Sequence, residues 1–257
     1  MDGMKRRALI FTIAGIIALA IIAAIAHRLQ NRSSPPPTLS VMPAGESLDR
    51  YWVQDGPSTA GHSSDPKHVP RAASNPFPEV PRSRDAIQLT DDPFDGRTDA
   101  ERRWLDKHGY PNTLQWNAYN LASDGLLEQT AQSGDRTAQT LLDARRLPDK
   151  EALDRLMLSA VDGNMFALQM VASHYASTGK AGNSNAYAIS RVLEMRGDPS
   201  AAVSRELMFN PPLELDERMR GEAEALQLNA TLNDIYQQKY ESHFQPDLRP
   251  FPIEPGK

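Results

Sequence analysis

Three stretches of this chain repeat one local grammar, and that grammar constrains the fold more than any other feature. They are Ala131-Gln-Ser-Gly134-Asp-Arg-Thr-Ala138, Ala160-Val-Asp-Gly163-Asn-Met-Phe-Ala167 and Met195-Arg-Gly197-Asp-Pro-Ser-Ala201, each carrying G-[DN]-x-x-A. Glycine suits a helix C-terminus because it accepts positive φ without a Cβ clash, and the Asp or Asn that follows can cap the next helix. The alanine one turn later lets two helices approach closely. The glycines are 29 and 34 residues apart, a period that fits stacked helix pairs.

Between these marks the apolar residues follow helical spacing. Leu153, Leu156, Met157, Ala160 and Val161 form one stripe, and Ala138, Leu141 and Leu142 begin another. Ala167, Val171 and Tyr175 make a third, followed by a break at Gly179 to Asn183 and a new helix carrying Ala186, Ile189 and Leu193. Each unit therefore reads as helix, loop, helix, glycine turn. One pair cannot bury its own apolar faces, so neighbouring pairs must supply the rest of the core. The fold class expected is all-α, a short α/α solenoid of helix pairs.

The pattern resembles the Sel1-like repeat, a relative of the tetratricopeptide repeat, whose text runs roughly A-A-x-x-G-x-x-x-A-x-x-x-L-x-x-x-Y. Ala160, Gly163, Ala167, Val171 and Tyr175 look like that text. Ala131, Gly134, Ala138 and Leu142 match it in the first unit, where Arg146 replaces the tyrosine. Gly197 and Ala201 match in the third, where Glu194 and Arg205 depart. The G-x-G-V loop of the family is absent, and the resemblance covers about residues 110–209. It implies a scaffold or adaptor that binds other proteins.

The N-terminus implies an address. After Lys5, Arg6 and Arg7 comes the uncharged run Ala8 to Ala26, whose one polar side chain is Thr12. As a helix it spans about 28 Å, close to the ~30 Å hydrocarbon core of a bilayer. Ala24-Ile25-Ala26 has the small-x-small look of a cleavage site. Signal h-regions usually run only ~7 to 15 residues, which favours an uncleaved anchor. The basic flank orders the chain with residues 1–7 in the cytoplasm, 8–26 across an inner membrane and the remainder in the periplasm.

Residues 27–96 hold 11 of the 20 prolines and keep neither a helix nor a strand period. They read as a disordered, partly polyproline-like tether, with Tyr51, Trp52 and Val53 as the residues able to dock. The helical domain is expected over 97–243. Thr98 and Glu101 form a capping-box pattern for a first helix that carries Trp104 and Leu105 and stops near Gly109. A capping helix over about 214–242 presents Leu228, Leu232, Ile235, Tyr236 and Tyr240 on one face, and 244–257 is a tail.

Catalytic chemistry finds little footing. With no cysteine, disulfides, thiolate nucleophiles and Cys-ligated zinc are excluded. Histidines 27, 62, 68, 108, 174 and 243 make no i, i+4 pair, and there is no G-x-S-x-G elbow. Thr178-Gly179-Lys180 is followed by Ala181 where a phosphate loop needs Ser or Thr, and in Asp91-Asp92-Pro93-Phe94-Asp95-Gly96 a proline takes a calcium-ligand position. Neither cofactor nor metal is expected.

Glu241-Ser242-His243-Phe244-Gln245-Pro246 is similar to the E-S-x-F-x-P text around the catalytic glutamate of lytic transglycosylases. That makes a cell-wall hydrolase with Glu241 as acid the alternative function. Only 11 residues follow Pro246, too few for that family's sugar cleft.

Residues 1–32 carry +4 of a net charge of −5, so the rest of the chain holds −9 and should repel phosphate backbones. A protein partner is expected, not nucleic acid, with Asn164, His174 and Lys180 as the residues of the second unit available to line its face. The expected topology has a direct check: a reporter that works only outside the cytoplasm, fused after Lys257, should be active.

Overall fold

Most helices here begin where a short polar side chain takes a free amide of the first turn. In the computed structural model, which describes residues 74–87, 96–209 and 211–250, six such caps follow one another: Thr98, Asn112, Ser123, Asp135, Asp149 and Asn164. They open α1 (Asp99–Lys107), α2 (Thr113–Leu121), α3 (Asp124–Gln132), α4 (Arg136–Arg146), α5 (Lys150–Val161) and α6 (Met165–Ser177). After a 3-10 turn at Gly179–Gly182 come α7 (Asn183–Met195), α8 (Ser200–Met208) and α9 (Leu215–Tyr240). The described residues are all-helical, with no strand among them.

The first cap differs in detail from the expected box. Thr98 Oγ1 accepts from the Glu101 amide at 3.1 Å, but the Glu101 carboxylate accepts from the amide of Arg97, one residue before the cap, at 2.7 Å.

The three repeat glycines lie at the corners α3–α4, α5–α6 and α7–α8. Their φ values are +90° at Gly134, +87° at Gly163 and +118° at Gly197, a region an L side chain enters only with strain. Helices adjacent in sequence from α3 to α8 pack on one another, and α9 lies along α7 and α5. Ala138, Ala160, Ala167, Ala188 and Ala225 have no exposed surface, so the backbones they sit on approach neighbouring helices closely. Gly221 belongs with them: a Cβ there would stand 2.6 Å from Tyr187 Cδ1.

The largest core cluster draws on α1, α5, α6, α7 and α9, with Trp104, Leu156, Leu168, Val171, Val192 and Leu232 among its buried members. A second joins Trp116, Tyr119, Leu127, Leu142 and Phe166 from α2, α3, α4 and α6. Most of each expected stripe is buried, including Leu156, Met157, Ala160 and Val161 on α5 and Leu228 and Leu232 on α9, while Leu153, Ile235 and Tyr236 are partly buried and Tyr240 is exposed.

The apolar run 8–26 and Tyr51, Trp52 and Val53 lie outside the described residues. Among the described residues no helix is long and apolar enough to cross a membrane. Residues 74–87, assigned from proline content to the disordered tether, are docked on the helical body.

Arginines hold this segment where an apolar stripe is missing. The Arg84 side chain has no exposed surface; its guanidinium donates to Asp106 Oδ1 at 2.5 Å, the Tyr110 carbonyl at 3.1 Å and the Pro111 carbonyl at 2.5 Å. The Arg84 amide adds a bond to Asp106 Oδ2 at 2.8 Å, and Arg102 donates to the carbonyls of Arg84 and Ile87. Val80 enters the second core cluster, and Arg82 reaches Ser133 and Asp135. Proline removes periodicity from such a segment without preventing side chains from fastening it.

Breaking a buried ion pair from one side leaves the other charge uncompensated. Arg84→Met should therefore lower the unfolding free energy by about 3 kcal/mol. The exposed Arg103→Met should move it by under ~0.5 kcal/mol. Urea titration followed by tryptophan fluorescence would compare the two.

Candidate functional site

The positions singled out by the repeat pattern sit at corners and in the core. Ala138, Ala160, Ala167 and Ala201 are buried and Ala131 is half-buried. Tyr175, half-buried, packs against both the main core and a small cluster of Ala186, Tyr187, Phe209 and Leu213.

The proposed partner face does not assemble. Asn164 is fully buried. Its Oδ1 caps α6 by accepting from the Ala167 amide at 3.1 Å, while Nδ2 donates to Thr140 Oγ1 and Ser159 Oγ, each at 2.9 Å. It also fills the space beside Gly109, where an added Cβ would overlap its side chain. It joins α4, α5 and α6 and presents nothing to a partner. His174 is half-buried, and its ring stands edge-on to Tyr175 at 5.7 Å between centroids. Lys180 is exposed in the 3-10 turn. Asn164 and His174 stand at opposite ends of α6, about 15 Å apart along its axis.

The same position at the other corners is buried too. Asp135 is 3% exposed and takes the Tyr119 hydroxyl at 2.8 Å while capping α4. Asp198, also 3% exposed, takes the Tyr110 hydroxyl at 2.6 Å and the Ser200 amide at 3.1 Å. Each corner carboxylate or amide thus grips an earlier element as well as the helix it precedes.

The α7–α8 corner is the richest constellation. Residues 241–250, which follow α9 and include the first half of the expected tail, cross it as an extended strap with no helix or strand bonding of their own. The Arg249 amide donates to the Gly197 carbonyl at 2.8 Å, and the Trp104 indole donates to the Asp247 carbonyl at 2.8 Å. A Cβ on Gly197 would overlap that same Asp247 carbonyl.

The Arg249 guanidinium lies against Glu101 at 2.7 Å, Asp198 at 3.4 Å and Ser200 Oγ at 3.0 Å. Burial alone would lower its pKa, but the Asp198 charge and the Glu101 hydrogen bond outweigh that and raise it. Burial and the neighbouring Asp198 hold the Tyr110 phenol well above its usual range, so it stays a donor. Arg196, with no exposed surface, lies 3.7 Å over the Phe244 ring, and burial pulls its pKa down to about 10. The chemistry on offer is recognition: two buried carboxylates for a guanidinium, one indole donor and one carbonyl acceptor for a main chain.

Two other places offer less chemistry. A shallow apolar groove between α5 and α9 is lined by Met157, Leu158, Val161, Leu228, Thr231, Leu232 and Ile235 and brings no polar side chain but a threonine. Glu241 is exposed at the C-cap of α9 in the left-handed region, φ 52°. Among the described residues no group of three His, Asp or Glu side chains is placed to hold a metal ion. The chain matches no family model, no curated protein and no solved structure.

Histidines 108 and 174 generate a pH prediction. His108, buried and stacked on Trp104 at 4.1 Å, donates from Nδ1 to the Trp104 carbonyl at 2.7 Å. Burial lowers its pKa from 6.5, partly offset by that carbonyl and by Asp247; burial alone lowers that of His174. A histidine kept neutral by folding contributes stability that is full above the unfolded value of 6.5 and is lost as pH falls through it toward the lowered folded value. The melting temperature should drop between about pH 7 and pH 5. The double variant His108→Gln/His174→Gln should flatten that drop in differential scanning fluorimetry.

Proposed function

We propose that this protein is a membrane-anchored helical-repeat adaptor of the Sel1-like kind, a short solenoid of helix pairs that binds other proteins of the cell envelope. Residues 8–26 would hold it in the inner membrane with residues 1–7 in the cytoplasm and the helical body in the periplasm. The observation that carries this reading is the recurrence of one corner. Gly134, Gly163 and Gly197 all have positive φ and are each followed by a buried Asp or Asn. Repetition of one packed joint is the mark of modules that present surfaces to partners. The acidic body turns that preference toward proteins and away from nucleic acid.

Anchoring adds concentration. A binding module held near its membrane partners by a tether meets them at an effective concentration on the order of mM when the linker matches the span.

Crosslinking in cells with the full anchored chain, followed by identification of what is bound, tests the adaptor. It should recover one or a few envelope proteins; recovery of none would leave a spacer in its place. The hydrolase alternative has its own assay, muropeptide release by the full chain with Glu241→Gln as control. No release is expected from either form, and release lost in that variant would replace the adaptor with an enzyme.

A further inference from the structure

We propose that the corner formed by α1 and the Gly197 turn is a binding site for an extended peptide of a partner protein, occupied in cis by residues 244–250 as a built-in competitor. The inference rests on the adaptor reading and names where and what the adaptor binds.

The strap is held as a ligand is held. Two of its bonds are made by main-chain atoms, the Asp247 carbonyl to the Trp104 indole and the Arg249 amide to the Gly197 carbonyl, and neither depends on which side chains the strap carries. Gly197 lets the peptide backbone come into contact because it has no Cβ to stand in the way. Side-chain selectivity comes from three places. Glu101 and Asp198, 6% and 3% exposed, require a guanidinium, which Arg249 supplies. Lys107 pairs with Asp247 at 2.7 Å. Arg196 and Tyr236 enclose an aromatic ring, Phe244, at 3.7 Å and 5.3 Å. The partner text that fits is aromatic-x-Pro-Asp-x-Arg in extended form, with the proline limiting the freedom lost on binding.

The strap also leaves the body as a ligand leaves. None of the three core clusters contains a residue from 241 to 250. Leu248 is 70% exposed, so the closed state rests on charge, two main-chain bonds and the single Phe244 ring, and not on a shared core. Its hinge is Glu241, a non-glycine residue in the left-handed region at φ 52°, a conformation that opening would relieve. Removing the strap uncovers two buried carboxylates that have lost their cation, a state that favours capture of another arginine.

The test uses the full chain in detergent micelles and a fluorescein-labelled peptide with the sequence of residues 243–250, His-Phe-Gln-Pro-Asp-Leu-Arg-Pro. A cis competitor weakens apparent affinity in proportion to the closed population. Opening the strap with Phe244→Ala/Arg249→Ala should therefore tighten peptide binding at least ~10-fold over wild type by fluorescence anisotropy. A peptide with alanine at the arginine position should lose that gain.

An opened variant that keeps its helical circular dichroism yet binds no tighter would overturn the proposal, and so would one that loses its helicity. So would dimerisation on opening, seen by light scattering, because it would assign the corner to a second copy. In the wild-type chain the Arg249 amide should exchange hydrogen faster than the amides of α7; exchange in step with α7 would make the strap a permanent brace. The two readings fail separately. Envelope partners without peptide binding would remove this inference alone, and peptide binding without partners would remove the adaptor.

Discussion

Helices of nine to thirteen residues are marginal in water by themselves, so α1 to α8 exist because each buries a stripe against a neighbour. Everything else depends on placing those short helices so that the stripes meet. The corner does this with two adjacent residues. Glycine reverses the chain through positive φ, and the Asp or Asn behind it bonds a first-turn amide of the next helix while holding an earlier element through Tyr119, Thr140 or Tyr110. A cap exposed to solvent is worth about 1 kcal/mol to its own helix. A buried one that also bonds across the packing couples three elements, so its loss would strand polar groups in the core.

Charge arranges the periphery around this frame. The body beyond residue 32 is acidic, and the two extended segments that lie across it bring the cations. Arg84 pairs with Asp106, Arg82 with Asp135, and Arg249 with Glu101 and Asp198. Arginine suits this work because its planar fork binds carboxylates and carbonyls together, as Arg84 does with Asp106, Tyr110 and Pro111. Segments without an apolar stripe thus become ordered through guanidinium bonds. A hydropathy pattern does not register that mode of docking.

This explains what was legible in the sequence. The α9 bounds, the buried stripes of α4 to α7 and the glycine turns follow from periodicity and from backbone freedom, which are local properties. Docking of 74–87 and of the strap depends on partners 15 to 148 residues away, which local pattern does not contain. Asn164 stands between these cases. Taken alone it reads as an exposed polar residue after a glycine, yet its alignment with Asp135 and Asp198 marks a joint used three times. The burial shared by all three joint residues is a property of the set and not of any one corner. Gly221 is not legible in the sequence, because only its contact with Tyr187 distinguishes it from an ordinary helix glycine.

Both extended segments end on the same short rod. Arg84 grips α1 through Asp106, and the strap grips it through Glu101, Trp104 and Lys107. A pull arriving from the N-terminal side is therefore delivered to α1 and shared at once with the far end of the polypeptide. In the closed arrangement α1 is the clasp on which both extended segments fasten.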